Sequence, residues 1–216
     1  MSLTLWLGFL LAAILIAVSP GPGAATSMSA GLRHGYAATL CAIAGLQMAL
    51  IIQLSIVAAG LGALLATSST AFGLLKLFGA AYLIWLGIQK WRETPEIQSV
   101  QTNEMSDRLE TGTTVSLARK LFIQGLLVNL SNPKAIVFMA ALTPQFIDPA
   151  RPQWPQFVII GLTMCVVDSI VMSGYALLAT RLRGWLNDRR ALTAQNRFFG
   201  GVFVGAGILL ATSARN

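Results

Sequence analysis

The chain has 216 residues, of which 55% are hydrophobic and 11% are charged, and its formal net charge is +7. In a soluble domain about a quarter of the residues are charged. The charged residues of this chain are too few to cover the surface of a soluble domain of this size. The two cysteines exclude a disulfide scaffold. The basic residues lie in short clusters between long apolar runs, which is not the single basic face that nucleic acid requires. The composition therefore predicts an integral membrane protein that binds no nucleic acid.

Six apolar stretches approach the length of about 20 residues that a helix needs to cross a bilayer. No Lys, Arg, Asp or Glu occurs before Arg33, and none occurs between Gly35 and Leu75. The first stretch lacks the basic segment of a cleaved signal peptide, so we expect it to remain in the protein. The predicted spans are residues 3–18, 38–66, 71–89, 121–143, 156–180 and 198–213.

The stretch between the third and fourth spans is polar and poor in large apolar residues. It is predicted to be a flexible linker and not a second domain. Residues 1–216 then form a single transmembrane domain. Its first repeat covers about 1–92, a cytoplasmic linker covers about 93–118, and the second repeat covers about 119–216.

Lysine and arginine are distributed unevenly between alternate loops. Lys76, Arg151 and Arg215 lie on one side of the predicted membrane, Lys134 lies within a span, and the other eleven of the fifteen lie on the opposite side. Loops rich in Lys and Arg stay in the cytoplasm, so both termini are predicted to be extracytoplasmic. A five-span chain with an internal N-terminus is the competing topology.

The two halves of the sequence show colinear similarity at an offset of about 115 residues. Ser19-Pro20 corresponds to Asn132-Pro133, the Gly-Leu-x-Met motif at Gly45 recurs at Gly161, and a third match follows in the same order. Because each half has an odd number of spans, the halves must enter the membrane from opposite sides. The sequence therefore predicts an all-α membrane protein with six transmembrane helices in a 3+3 inverted repeat.

Each repeat has a helix-breaking motif in its first span, so helices 1 and 4 are predicted to be broken. Proline removes a backbone donor and clashes with the preceding turn. In a membrane, the freed backbone groups are tolerated only where they line a cavity, and inverted-repeat transporters bind their substrate where such breaks meet. Two purely structural kinks are the alternative. The candidate site residues at the breaks are Pro20, Gly21, Pro22, Gly23, Asn132, Pro133 and Lys134.

Asp168 is the one carboxylate of eight that lies in the middle of a span. A charge there costs about 2.5–3.5 kcal/mol on the insertion scale, which favours a role in binding an ammonium group or in proton coupling. A protonated Asp168 that hydrogen-bonds between helices is the alternative. Lys134 either pairs with Asp168 or extends its ammonium to an interface. Gln47 and Asn129 complete the candidate site as amides within spans, with interhelical hydrogen bonding as the alternative role of Gln47.

Four motifs resemble those of the LysE/RhtB family of amino-acid exporters, and the similarity extends over the whole chain. They are Ser19-Pro20-Gly21-Pro22-Gly23, Arg33-His34-Gly35-Tyr36, Ala80-Ala81-Tyr82-Leu83-Ile84-Trp85-Leu86-Gly87 and Asn129-Leu130-Ser131-Asn132-Pro133-Lys134. The resemblance implies an exporter of small amino acids in the cell inner membrane. Homoserine and homoserine lactone are the first expected substrates. Threonine or another neutral or basic amino acid is the alternative substrate, and a membrane-embedded enzyme is the alternative class.

The sequence has no Walker motif, so the energy for export is expected to come from a gradient. Asp168 makes proton antiport the hypothesis. No cofactor or metal is expected, because His34 is the only histidine and the two cysteines lack a metal-binding spacing. The expected partners are the amino-acid substrate and membrane lipids, and the sequence leaves a homo-oligomer open.

Overall fold

The computed structural model describes residues 1–67, 77, 80–82, 84–85, 87–89, 91–92, 114–148, 150–181 and 189–212. Over these residues the fold is helical and contains no β-strand, which confirms the all-α prediction. The helices include α1 (Leu3–Val18), α2 (Pro22–Thr67), α3 (Thr114–Leu130), α4 (Pro133–Val137), α5 (Gln153–Arg181) and α6 (Arg189–Thr212). The described residues between 80 and 92 are also helical. A π-helical turn, Phe138–Leu142, and a 3-10 turn, Thr143–Phe146, continue α4.

Two helical stretches, Pro22–Gly60 and Gln153–Ala179, are long and apolar enough to cross a bilayer. Ser116–Leu130 and Pro133–Phe146 meet the same criterion together, with a bend of 55° between them. The prediction of a helical membrane protein is thereby confirmed.

Helix bounds agree closely with the predicted spans for α1 and α5, whereas α2 begins at Pro22 and not at 38. Helix α1 has the limits of the first predicted span. Helix α3 begins at Thr114 and not at 121, and α6 begins at Arg189 and not at 198. The added turns are polar, so no apolar pattern marks them. The third predicted span lies partly outside the described residues, and the linker over 93–113 lies wholly outside them.

Both predicted helix breaks are present. Ser19, Pro20 and Gly21 separate α1 from α2, and Ser131 and Asn132 separate α3 from α4. The Asn132 side chain accepts a hydrogen bond of 3.1 Å from the backbone N–H of Lys134 and so caps α4. Proline suits the first turn of each new helix because no backbone donor is needed there.

Helix α2 bends sharply at Gly35, where φ is 78° and ψ is 169°. This conformation is essentially restricted to glycine, because a Cβ would clash with the backbone. The bend divides α2 into a short segment that follows the first break and a long segment after it. The motif Arg33-His34-Gly35-Tyr36 thus surrounds the kink between two helical segments.

Helices α2 and α3 cross in close contact at two glycines, one on each helix. A Cβ on Gly45 would overlap the carbonyl oxygen of Phe122, and a Cβ on Gly125 would overlap that of Ala42. The two backbones therefore touch without side chains between them, as small residues allow at helix contacts in membranes. This contact places the C-terminal end of α3, with Asn129, against α2.

Candidate functional site

A cavity of about 40 Å³ lies between the two helix breaks. Residues of α1, the first break, α2, α3, the second break, α4, the π-helical turn and α5 line it. Six of the ten predicted site residues are among its described lining residues: Gly21, Gly23, Asn129, Asn132, Lys134 and Asp168.

The other four predicted site residues lie around the cavity without lining it, as far as the described residues show. Pro22 and Pro133 are exposed and Pro20 is half-buried, so the prolines shape the breaks while their rings point elsewhere. Gln47 is linked to the cavity by its hydrogen bond to Asp168.

Lys134, from the second break, binds the end of the helix that precedes the first break. Its Nζ donates hydrogen bonds to the carbonyl oxygens of Ile16 at 2.9 Å and Ser19 at 2.6 Å. These carbonyls belong to the C-terminal end of α1, which carries partial negative charge. A Cβ on Gly21 would lie 3.3 Å from Nζ, so this glycine leaves room for the ammonium. Lys134 thus stabilises the end of α1 from across the cavity.

Asp168 projects from α5 toward α2. Its Oδ2 accepts a hydrogen bond of 2.7 Å from Nε2 of Gln47. In the described part of the chain, Oδ1 accepts no hydrogen bond, and the residue lines the cavity. One carboxylate oxygen is therefore held by the protein, and the other can accept a donor from a ligand.

Asn129 holds the second break against α2. Its Nδ2 donates to the carbonyl oxygen of Leu46 at 2.9 Å, and its own backbone carbonyl accepts from Nε2 of Gln53 at 2.8 Å. The Oδ1 of Asn129 accepts from Nδ2 of Asn132 at 3.3 Å. The two asparagines line the cavity, but these bonds already fix their amide groups.

Ser19 lines the cavity although it was not among the predicted site residues. Its side chain is fully buried, and its hydroxyl has no hydrogen-bond partner among the described residues. The signal was its place in the Ser19-Pro20 match to Asn132-Pro133. The methionines that line the cavity had no such signal, because in an apolar span they resemble lipid-facing residues. They are Met139, Met164 and Met172.

The cavity contains a cation, Lys134, and a carboxylate, Asp168, so its formal charges balance. Its volume suffices for about one water molecule, so an amino acid requires the cavity to widen. Within the described ranges, no three His, Cys, Asp or Glu side chains come together as metal ligands would. The arrangement can bind a small molecule that carries an amine.

Comparison with known proteins shows the family to which the chain belongs. The family model of the LysE type translocator matches residues 14–214. A homoserine/homoserine lactone efflux protein of Salmonella typhimurium is 44% identical over 96% of each chain. An uncharacterized membrane protein of Vibrio cholerae is 44% identical over 99% of each chain. A leucine efflux protein of Klebsiella pneumoniae is 29% identical over 96% of this chain and 94% of its own.

No solved structure matches the chain. The family match covers most of its length and includes both helix breaks and every polar residue that lines the cavity. The chain belongs to the LysE type translocator family.

Proposed function

We propose that this chain is a secondary exporter of homoserine and homoserine lactone, which it moves out of the cytoplasm across the inner membrane. The observation that carries the proposal is a cavity between two helix breaks with an ammonium group and a carboxylate in its wall. The name of the Salmonella relative, at 44% identity, supports this choice of substrate. The leucine efflux relative, at 29% identity, keeps other neutral amino acids as the alternative.

The architecture that we propose is six membrane spans in a 3+3 inverted repeat. Helix α1 and the segment of α2 before Gly35 form the first span, and α3 with α4 forms the fourth. The support is that each of these spans is broken at the position where the sequence halves correspond. Such paired breaks meet near the middle of the membrane in inverted-repeat transporters.

Transport requires the cavity to open to each side of the membrane in turn. Two apolar clusters flank the cavity and share residues with its wall. The larger cluster has twelve buried residues, including Phe9, Phe138 and Met164, and the smaller has Ala24, Ile43, Leu46 and Met172. Separation of one cluster at a time gives the two open states of the proposed cycle.

Asp168 is the residue that we propose couples export to the proton gradient. A carboxylate binds a proton or an ammonium group, but not both at full strength. A proton that enters from outside neutralises Asp168 and releases the substrate's amine outward, and loss of that proton to the cytoplasm restores the binding form. Lys134 is the other charged side chain of the described cavity wall, and Cys165 and Tyr175 are the nearby titratable groups on α5.

The test is export by purified protein in liposomes with an imposed pH gradient. Wild-type protein is expected to move homoserine against its own gradient, and Asp168→Asn is expected to lose this pH-driven transport. The matched control is Asp148→Asn, because Asp148 lies outside the cavity and pairs with Arg151 at 3.2 Å. Export by Asp168→Asn with an unchanged dependence on pH would rule out proton coupling at this residue.

The substrate is tested by growth of cells that overproduce the protein on a panel of toxic amino acids and analogues. Resistance to homoserine and its lactone is expected. Resistance to threonine or leucine alone would replace the proposed substrate and leave the exporter class intact.

A further inference from the structure

We infer that the amine is the group by which the exporter recognises its substrates, that Asp168 binds it, and that Gln47 positions Asp168, so that the substrate's carboxylate is dispensable. This inference rests on the proposed function and specifies which end of the substrate the site anchors.

The first step is the geometry of the carboxylate. Gln47 holds Oδ2 of Asp168 through a bond of 2.7 Å, and Oδ1 accepts nothing from the described residues. A bond from an amide to an ionised carboxylate is short and strong, so it fixes the plane of the carboxylate. The oxygen left over is an anionic acceptor at the cavity wall, and an ammonium group is the complementary donor.

The second step is the orientation of the Gln47 amide. Its Oε1 is buried and accepts no hydrogen bond in the described part of the chain. Burial of an acceptor without a partner is unfavourable, and the bond from Nε2 to Asp168 offsets that cost. The ionised form of Asp168 accepts this bond more strongly than the neutral form would. Gln47 therefore acts on the substrate indirectly, as a positioning residue.

The third step concerns Lys134, the cation of the cavity wall to which a substrate carboxylate could bind. Its ammonium donates to the carbonyl oxygens of Ile16 and Ser19, at 2.9 and 2.6 Å. Those carbonyls form the negative end of α1, which balances the charge of the ammonium. A substrate carboxylate would have to compete with both bonds. The ammonium of Lys134 is thus already bonded to the protein, whereas Oδ1 of Asp168 can accept a hydrogen bond from the ligand.

The fourth step is the chemistry at the acyl end of the ligand. Ser19 supplies a fully buried hydroxyl without a partner among the described residues, at the wall of the same cavity. A hydroxyl can donate to a carboxylate, an ester or a lactone carbonyl. In such a site the carboxylate of Asp168 binds the amine and the neutral hydroxyl of Ser19 donates to the acyl group. The site therefore accepts both an amino acid and its lactone. The class of ligand is a small primary amine with an oxygen acceptor.

The test measures binding to purified protein in detergent by ligand-induced thermal stabilisation. Homoserine and its lactone are compared with homoserinol, in which an alcohol replaces the carboxylate. They are also compared with gamma-hydroxybutyrate and gamma-butyrolactone, which lack the amine. Homoserinol is expected to bind within about threefold of homoserine, and the compounds without an amine at least about tenfold more weakly, as loss of a charged hydrogen bond predicts.

Gln47→Leu tests the positioning role. It is expected to weaken binding of all three amines and to reduce their advantage over the compounds without an amine. The control is Gln53→Leu, the same change on the same helix, because the Gln53 amide binds the backbone carbonyl of Asn129 and not Asp168. This control is expected to lower the melting temperature. It should leave unchanged the ratio between the affinity for the amines and the affinity for the compounds without an amine.

Three results would decide against these assignments. Binding of gamma-hydroxybutyrate as tight as that of homoserine, with none of homoserinol, overturns recognition through the amine and leaves the exporter function standing. An unchanged ratio of affinities in Gln47→Leu overturns the role of Gln47. If neither homoserine nor its lactone binds the protein, and neither is transported in liposomes, the proposed function itself is overturned.

Discussion

At the scale of single residues, the C-terminal end of α1 is held by side chains from distant parts of the chain. Lys134 donates to the carbonyls of Ile16 and Ser19, and the Tyr175 hydroxyl donates to the carbonyl of Val18 at 2.6 Å. Backbone carbonyls that a broken helix leaves inside a membrane need such partners, because no solvent reaches them. The first break is therefore stabilised by the second break and by α5.

Lys134→Met removes two of these hydrogen bonds. We expect the free energy of unfolding to fall by roughly 3–6 kcal/mol, because each hydrogen bond to a charged group is worth about 1.5–3 kcal/mol. Export of homoserine and of its lactone should fall together, since the ammonium binds the protein and not the carboxylate. Unfolding in detergent and export from liposomes check the two parts.

The control for Lys134→Met is Tyr175→Phe, which removes one neutral donor from the same helix end. We expect a loss of about 1 kcal/mol. Lys134→Arg keeps the charge and should retain part of the stability. A loss of homoserine export with normal export of the lactone would show that Lys134 binds the substrate carboxylate.

At the scale of elements, the second break depends on more than its proline. The carbonyl of Asn129 already accepts hydrogen bonds from Nε2 of Gln53 at 2.8 Å and from the backbone N–H of Asn132 at 3.1 Å. A continuous helix would need this carbonyl for the N–H of residue 133. The proline removes that donor, and Gln53 occupies the acceptor.

We predict that Pro133→Ala alone leaves most of the export activity, because Gln53 still binds the carbonyl that a continuous helix would need. The double variant Pro133→Ala with Gln53→Leu should straighten the span and abolish export, because both obstacles to the helical bond are gone. Export from liposomes at matched protein amounts measures the difference. Equal activity of the single and double variants would show that Gln53 has no part in the break.

The crossing of α2 and α3 gives a prediction about stability. Gly125→Ala places a methyl group against the carbonyl of Ala42, so we expect a loss of about 3 kcal/mol or failure to fold. Gly60→Ala is the matched control on α2, because its methyl group meets nothing within 4 Å. This control should raise the melting temperature slightly, as alanine favours helix over glycine. A melting temperature of Gly125→Ala equal to wild type would contradict the contact.

Local chemistry explains which elements were predictable from sequence. Pro20 and Pro133 marked the breaks because proline acts on its own turn. The polar first turns at Thr114 and Arg189 were missed, since spans were recognised by apolar length alone. The partners of Lys134 and Gln47 could not be read from the sequence, because they depend on how α4 and α2 are rotated about their axes. The sequence predicted Lys134 and Asp168 in one site, but it did not predict which groups each side chain would contact.

At the scale of the whole molecule, the uneven distribution of Lys and Arg predicts its orientation in the membrane. A reporter fused after Asn216 should be active outside the cytoplasm, and one inserted within residues 93–110 should be active inside. Alkaline phosphatase and a fluorescent protein that matures in the cytoplasm report the two sides. Reversal of both signals would overturn the topology, and an internal N-terminus with an external C-terminus would favour five spans.

The glycine crossing has a consequence for the lengths of the helices. On α3, Gly125 precedes Asn129 by about one turn, and on α2, Gly45 is adjacent to Leu46, whose carbonyl Asn129 binds. One residue inserted between Gly125 and Asn129 would rotate the rest of α3 by about 100° and move Asn129 away from α2. A substitution at Leu127, which is 58% exposed, leaves both contacts in place. Mutation can therefore exchange side chains along this turn, but it cannot add or remove a residue there.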